Sequence, residues 1–448
     1  MEINSLLLTY VDSCKSHDVF TTKSNLDSFP FSNFTTAAFY GALGKERSLP
    51  QSWVWLLLYQ MIWSLKKDNS IKAPESFFRL VSELEKIGFS APSKFDDIVT
   101  QTRDKKSTIR GPSFDLAGLI GVNAAVTSFE YEAATTNQSK DIVFEKLITF
   151  TKYALMQCHS DNKHFILIDG LDRVLFTNKG DLSPIASLID QSSSLNSELK
   201  VNEVPIKVII VCRKDLFDRL PLYNSNAIKQ SYSEELRWFT DARDHNKNEL
   251  VFLANHRASL FLGREINIFN EAFNENIEIT TSTTTRTYLV LTYILWHTRN
   301  TPRDFLMALR YIQGAHDPKN EKVTDKEIVE GLSNYAHDYF YDEIKDELMG
   351  YFDPDSIDKL FSIFISYGKY RMPTRDVIEK LEKGGFEKGT AEKMLRILFD
   401  CSAIGHIYYN EARKKETNVS KHYRAQSRFN PNHDLILHRA LWKPFGFV

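Results

Sequence analysis

The sequence predicts an α/β protein: a parallel-sheet core, then a helical region, then a closing module of helices and a hairpin. Three observations predict it. Two short runs, HFILI at 164–168 and IKVIIVC at 206–212, are almost continuously apolar and are separated by helical sequence. That is the pattern of buried parallel strands joined by crossover helices. Beyond about residue 265 the strand signal fades into helical periodicity, and from 355 onward the order becomes helix, helix, helix, strand, turn, strand. The chain has 448 residues, more than one core holds, and divides at 1–265, 266–350 and 351–448.

Taken in order, residues 4–16 have the periodicity of a helix and Asp18–Thr22 is a short extended run. Residues 51–65, QSWVWLLLYQMIWSL, form a helix that is apolar around nearly its whole circumference, so it must be buried on most sides. Residues 74–88 are a second, amphipathic helix. The glycine-bearing stretch 106–132 suggests a hairpin or small meander, and 139–159 another helix. Residues 181–199 give a polar helix-and-loop segment between the two strands. Residues 287–312 and 325–348 are helical, with the threonine run 280–285 as a polar approach to the first.

Composition excludes several classes. Hydrophobic residues make up 42% and charged residues 25%, an ordinary globular balance. The net charge of -2 gives no global attraction to nucleic acid or an anionic membrane. No apolar run is long enough to span a bilayer, and the N-terminus has no basic region of the signal-peptide type. Cys14, Cys158, Cys212 and Cys401 have neither metal-ligand nor C-x-x-C spacing, so they read as reduced thiols of a cytoplasmic protein.

The strongest chemical signal is KHFILIDGLDRVL. The strand His164–Ile168 runs into Asp169, which emerges at its carboxyl end, where α/β sheets place their ligands. A carboxylate there can hold Mg2+ through its water shell, as a Walker B aspartate does. Gly170 permits a tight turn, and Asp172 stands where a second acid orients an attacking water or helps hold the metal. Asp-Gly is also a generic turn pair, so a purely structural role competes. The second strand delivers Arg213 toward the same edge, with Asp215 as its local partner. In HTRNTPRDFLMAL, Thr301 suits an N-cap and Pro302 the first helical turn, which sets Arg299 and Arg303 beside a helix start. A solvated basic helix end is the alternative there.

At the C-terminus, helices at 356–366, 373–383 and 387–401 precede a strand at 403–409, a basic loop at 410–421 and a second strand, HYRAQSRF. Three helices and a hairpin wing describe a winged helix-turn-helix. Between 366 and 428 there are 14 Lys and Arg against 8 Asp and Glu, yet the third helix is balanced in charge. A neutral recognition helix forfeits phosphate attraction. The wing residues Arg413, Lys414, Lys415, Lys421 and Arg424 are the candidates for contact with nucleic acid or a protein partner.

With these pieces in order, the chain resembles bacterial P-loop ATPases of the STAND and AAA-like type that carry a C-terminal winged helix. The residues that carry the resemblance are the apolar strand with DGLD at 165–172, the strand with R-x-D-x-F at 208–217, T-R-x-x-P-R-D-F at 298–305, and the closing segment 428–447. The resemblance implies a P-loop NTPase-like core to residue 265, a helical lid to 350 and a winged-helix domain. It implies ATP and Mg2+ bound between core and lid, with Asp169 serving the metal, Arg213 at the sensor 1 position and Arg303, or Arg299, at the sensor 2 position. The implied activity is a nucleotide-dependent switch, with homo-oligomerisation or a protein partner and no membrane.

One essential part departs from that pattern. The phosphate loop G-x-x-x-x-G-K-[ST] supplies backbone amides and a lysine. The nearest fragment, Gly41-Ala-Leu-Gly-Lys45-Glu46, has Phe39 where the first glycine belongs and Glu46 where Ser or Thr belongs. Either the chain begins downstream of the loop or the scaffold has lost catalysis; both predict weak ATP binding. A non-catalytic interaction scaffold and a DNA-binding regulator are the alternative functions.

Overall fold

The computed structural model describes residues 19–27, 29, 45–109, 140–171, 181–236, 238, 248–280, 284–349, 351–411, 414–421 and 427–447. The chain divides into two compact units, Met1–Glu234 and Glu235–Val448. The α/β class is as predicted. The expected helix at 4–16 and most of the 106–132 meander lie outside the described residues, though 106–109 continue a helix.

Unit 1 is built on a parallel sheet of order β1-β2-β3. Its strands are β1 (Val19–Asn25), β2 (Lys163–Asp169) and β3 (Ile206–Ile210). The register pairs Val19 with Lys163 and Asn25 with Asp169, then His164 with Ile206 and Ile168 with Ile210. Around the sheet lie α1 (Lys45–Lys66), α2 (Glu75–Lys86), α3 (Phe95–Ile109), α4 (Lys140–Leu155) and α5 (Ser183–Val201). Short helices α6 (Lys214–Phe217) and α7 (Ser225–Ser231) follow β3.

The all-round apolar α1 is the centre of this unit. It packs on α4 and α5 and touches β1, β2 and α3. Trp53, Trp55 and Tyr59 are fully buried, and each polar atom they carry is satisfied: Trp53 Nε1 donates to Pro184 O at 2.9 Å, Trp55 Nε1 to Thr102 Oγ1 at 2.9 Å, and Tyr59 OH to Ser90 O at 2.8 Å. Buried aromatic rings of this kind contribute large apolar areas only when their polar tips find partners.

The outward edge of β3 carries a specific plug. Asn196 on α5 donates its Nδ2 to Val208 O and accepts at Oδ1 from Val208 N, both at 2.9 Å. Its carboxamide takes the place of a neighbouring strand's peptide group, which removes one reactive pair from an exposed strand edge.

Unit 2 begins with α8 (Glu249–Leu262), whose N-cap Asn248 accepts from Leu250 N and Val251 N, and α9 (Ile268–Ala272). A hairpin of β4 (Asn276–Thr280) and β5 (Thr285–Leu289) comes next. This corrects the expected fade-out of strands. Thr280 and Thr285, at the two ends of the threonine run, are β-branched and pair with each other, where sequence periodicity alone suggested a polar approach to a helix; 281–283 lie outside the described residues. The helical residues then form α10 (Val290–Leu295), α11 (Pro302–Ala315) and α12 (Asp325–Tyr335). A π-helical turn at Ala336–Phe340 joins α12 to α13 (Tyr341–Met349).

The closing module has α14 (Pro354–Tyr367), β6 (Arg371–Met372), α15 (Thr374–Lys383), α16 (Lys388–Asp400), β7 (Ile404–Asn410), β8 (Lys415–Val419) and β9 (Asp434–Leu437). Its antiparallel sheet has the order β6-β9-β7-β8. Of the strand expected at HYRAQSRF, 422–426 lie outside the described residues and 427–429 are not strand, while the segment 410–421, expected as a basic loop, is partly strand, with β8 at 415–419. Alternating burial of Thr417 and Val419 against exposed neighbours carries that strand, a weaker signal than the basic residues beside it.

Among the described residues no helix is long and apolar enough to cross a membrane. Cys158 is a buried thiol, and burial pushes it up to about 12.

Candidate functional site at the carboxyl edge of the parallel sheet

The three described strands of unit 1 run in one direction, so their carboxyl ends share one edge. Asp169 stands at the end of β2, half-exposed, directly beside Asn25 at the end of β1. The ladder continues one step beyond, with Leu26 N donating to Asp169 O at 2.8 Å. Asn25 then closes an Asx-type turn: Oδ1 accepts from Asp27 N at 2.8 Å and Nδ2 donates to Asp27 Oδ2 at 2.9 Å.

Gly170 makes this close approach workable. Its φ is +80°, and a Cβ there would sit 2.0 Å from Asn25 Oδ1, 2.7 Å from Asp27 Oδ1 and 2.8 Å from Asp27 N. Only glycine accepts both the backbone conformation and the space. Gly170 N donates to Asp169 Oδ1 at 2.8 Å. On the other side of β2, Val211 N donates to Ile168 O at 2.9 Å, and the chain passes through Cys212 to Arg213, exposed at the start of α6. The edge thus gathers Asn25, Asp27, Asp169 and Arg213.

Asn25 and Asp27 were not legible as site residues. VFTTKSN has no apolar run, and its partner strand lies far along the chain. The one available signal was the Asn-x-Asp turn pattern. Asp172 lies outside the described residues, as does the side chain of Asp215.

The donor set is all oxygen and open to water. It fits a hard cation such as Mg2+, which keeps several waters and takes one or two carboxylates. Asp169 would hold it, with Asp27 and Asn25 Oδ1 adjacent. Among the described residues no group of three or more His, Cys, Asp or Glu is placed to enclose a metal. For phosphate the same edge offers Arg213, and the sequence supplies no phosphate loop beside it.

The two arginines of the 298–305 motif lie in unit 2 and differ in kind. Thr301 Oγ1 caps α11 by accepting from Asp304 N at 3.2 Å, and Pro302 occupies its first turn. Asp304 is fully buried and faces back to Arg299. Arg299 gives Nε to Asp304 Oδ2 at 2.7 Å, Nη2 to Asp304 Oδ1 at 2.9 Å and Nη1 to Glu347 Oε1 at 2.8 Å. Burial disfavours the Arg299 charge, but Asp304 and Glu347 outweigh it and raise its pKa further; burial likewise opposes the Asp304 charge, and Arg299 overrides it and lowers that pKa. A ligand phosphate at Arg299 must displace a buried carboxylate. Arg303 is half-exposed, with Glu343 3.5 Å away, and is the more available of the two.

In the closing module Lys414 and Lys415 are exposed at the β7–β8 turn. Lys421 donates to Ser427 O at 3.0 Å and lies 3.6 Å from Asp400. Arg413 and Arg424 lie outside the described residues.

A second cluster in unit 1 has catalytic-looking composition. Ser64 Oγ is 2.9 Å from His164 Nδ1, and His164 Nε2 is 3.2 Å from Asp68 Oδ2. All three side chains are buried, so no substrate reaches the hydroxyl. Asp68 also accepts from Ser160, from Ser70 through both its N–H and its hydroxyl, and from Asn162. These bonds outweigh burial and hold its carboxyl well below the usual range. The cluster clamps the end of α1 to the start of β2.

No family model, curated protein or solved structure matches the chain.

Proposed function

We propose that this chain is a nucleotide-dependent switch of the STAND or AAA-like P-loop type, with a P-loop NTPase-like core, a helical lid and a C-terminal winged-helix module, and with hydrolysis weak or absent. The observation that carries the reading is Asp169: a half-exposed carboxylate at the carboxyl end of the central strand of a parallel sheet, beside Asn25 and Asp27 and next to the strand that delivers Arg213. In this reading Asp169 holds Mg2+ through its waters and Arg213 offsets phosphate charge; Arg303 is the sensor 2 candidate that the resemblance implies. ATP and Mg2+ are the implied cofactors. The sheet order β6-β9-β7-β8, with its first strand between the first and second of three helices, supports a winged-helix module.

The test is nucleotide binding by the full chain. Fluorescence titration with a labelled ATP should give Mg2+-dependent binding with Kd on the order of 1 mM, because the residues that would wrap phosphate are missing. Asp169→Asn should remove the Mg2+ dependence, and Arg213→Ala should weaken binding further. No binding at saturating Mg-ATP would overturn the proposal. Robust turnover that Asp169→Asn abolishes would overturn its hydrolysis-deficient part.

For the closing module, a protein partner is favoured over DNA. Along α16 and its N-cap, Lys388, Lys393 and Arg396 are matched by Glu387, Glu392 and Asp400. Such a helix lacks the net charge that drives phosphate contact. DNA binding that weakens steeply with salt and is lost in a Lys414→Ala/Lys415→Ala pair would reverse that preference.

A further inference from the structure

In unit 2 the C-terminal segment returns to the loop that carries Arg299. His438 Nε2 donates to Thr298 O at 3.2 Å, while its Nδ1 accepts from Ala440 N at 3.2 Å, so the ring carries its proton on Nε2. The same imidazole stacks on Phe340, with centroids 4.6 Å apart and planes at 18°. The Arg299 guanidinium also packs on Phe340, at 5.6 Å. Phe340 closes the π-helical turn, an insertion that interrupts regular i to i-4 bonding and recurs at functional positions in helices.

The next residue makes a second anchor. The Arg439 guanidinium lies 5.1 Å from the Tyr293 ring, 5.2 Å from Trp296 and 5.5 Å from Trp442. Tyr293 and Trp296 flank the end of α10, just before Thr298. Trp442 is fixed in turn by a bond from its Nε1 to Leu437 O at 3.0 Å and by stacking on Tyr370 at 4.1 Å. Among the described residues no carboxylate forms an ion pair with Arg439, so three ring faces hold its charge.

We propose that His438–Trp442 is a latch: it fastens the closing module to the turn Thr298–Asp304, so that the arrangement of that turn and the closure of the latch are thermodynamically coupled. Thr298 O and Phe340 are shared between the two. Moving Arg299 off Asp304 and Phe340 removes one side of the contact on which His438 rests, and withdrawing Arg439 frees the end of α10 that leads into the turn. Coupling of this kind is reciprocal. The latch stands on these contacts alone. Only the identity of its natural trigger, a phosphate group drawn to Arg303 and Arg299, rests on the function proposed above.

The test is amide hydrogen exchange on the full chain, read by mass spectrometry. Arg439→Ala should speed exchange roughly tenfold or more both in 438–447 and in 298–305, with the interior of α16 unchanged. Arg439→Met keeps apolar bulk without charge and should behave like alanine, whereas Arg439→Lys should retain part of the protection. Arg299→Gln should speed exchange in 438–447. Opening of 438–447 in Arg439→Ala without any change in 298–305 would overturn the coupling, as would full protection in Arg439→Met. If Arg299→Gln fails to fold, the Arg439 series decides alone. Adding Mg-ATP or pyrophosphate to wild type tests the trigger: faster exchange in 438–447 supports it, and no change with the Arg439 coupling intact sinks the phosphate trigger while leaving the latch.

Discussion

Gly170→Ala probes whether the carboxyl edge of the parallel sheet is as tightly specified as its geometry indicates. Two costs add. An L-residue at φ +80° is disfavoured by about 1–2 kcal/mol. The new Cβ also falls 2.0 Å from Asn25 Oδ1 and 2.8 Å from Asp27 N. Asn25 can swing away, but that forfeits its two bonds to Asp27, worth about 0.5–1.5 kcal/mol each. The backbone nitrogen can move only with β1. A total loss of about 3 kcal/mol is expected, or roughly 6–12 °C in Tm for a unit of this size. The assay is urea unfolding, with amide exchange at Ile166–Ile168 identifying the unit that loses stability. Repeating the substitution in an Asn25→Ala background should lower its cost by about 1 kcal/mol, since the worst overlap is gone. Gly170→Asn should recover part of the backbone strain and none of the overlap. A cost below about 0.5 kcal/mol, or the same cost in both backgrounds, would refute the reasoning.

Three further outcomes follow from other sites. Asn196→Ala removes both bonds to Val208 and should cost about 1–3 kcal/mol; it also bares the β-branched edge IKVII, so light scattering should detect concentration-dependent self-association that wild type lacks. Acid should destabilise unit 2 before its carboxylates titrate. Burial lowers the His438 and His406 pKa to about 4 and, with Arg439 nearby, that of His297 to about 3, so between about pH 6.5 and 4 the unfolded chain binds protons the native one refuses. Stability is whole above about pH 6.5 and falls as pH drops, by about 3 kcal/mol for His438 alone at pH 4; a Tm flat from pH 7 to 4.5 would contradict this. Asp304→Asn should cost about 3–5 kcal/mol by leaving the Arg299 charge buried beside one fewer carboxylate, whereas Arg303→Ala should stay within about 0.5 kcal/mol of wild type in the same thermal assay.

The sequence by itself determined the elements whose signal is local. HFILI and the apolar run from Ile206 read as buried parallel strands, with Asp169 at the end of the first. Thr301 and Pro302 mark their helix start unaided, because capping and a fixed φ act within one turn. The all-round apolar α1 had to be central, whatever its neighbours. Tertiary structure decided what depends on partners distant in sequence. The sequence marks an extended run only at 18–22; pairing with β2 carries the strand on to Asn25 and brings Asn25 and Asp27 to Asp169. Arg299 and Arg303 look equivalent in sequence, yet Asp304, Glu347 and Phe340 bury one and leave the other half-exposed. Charge and periodicity are properties of the chain; burial and the identity of a partner are properties of the fold, and those separate a guanidinium that holds the structure from one that can meet a ligand.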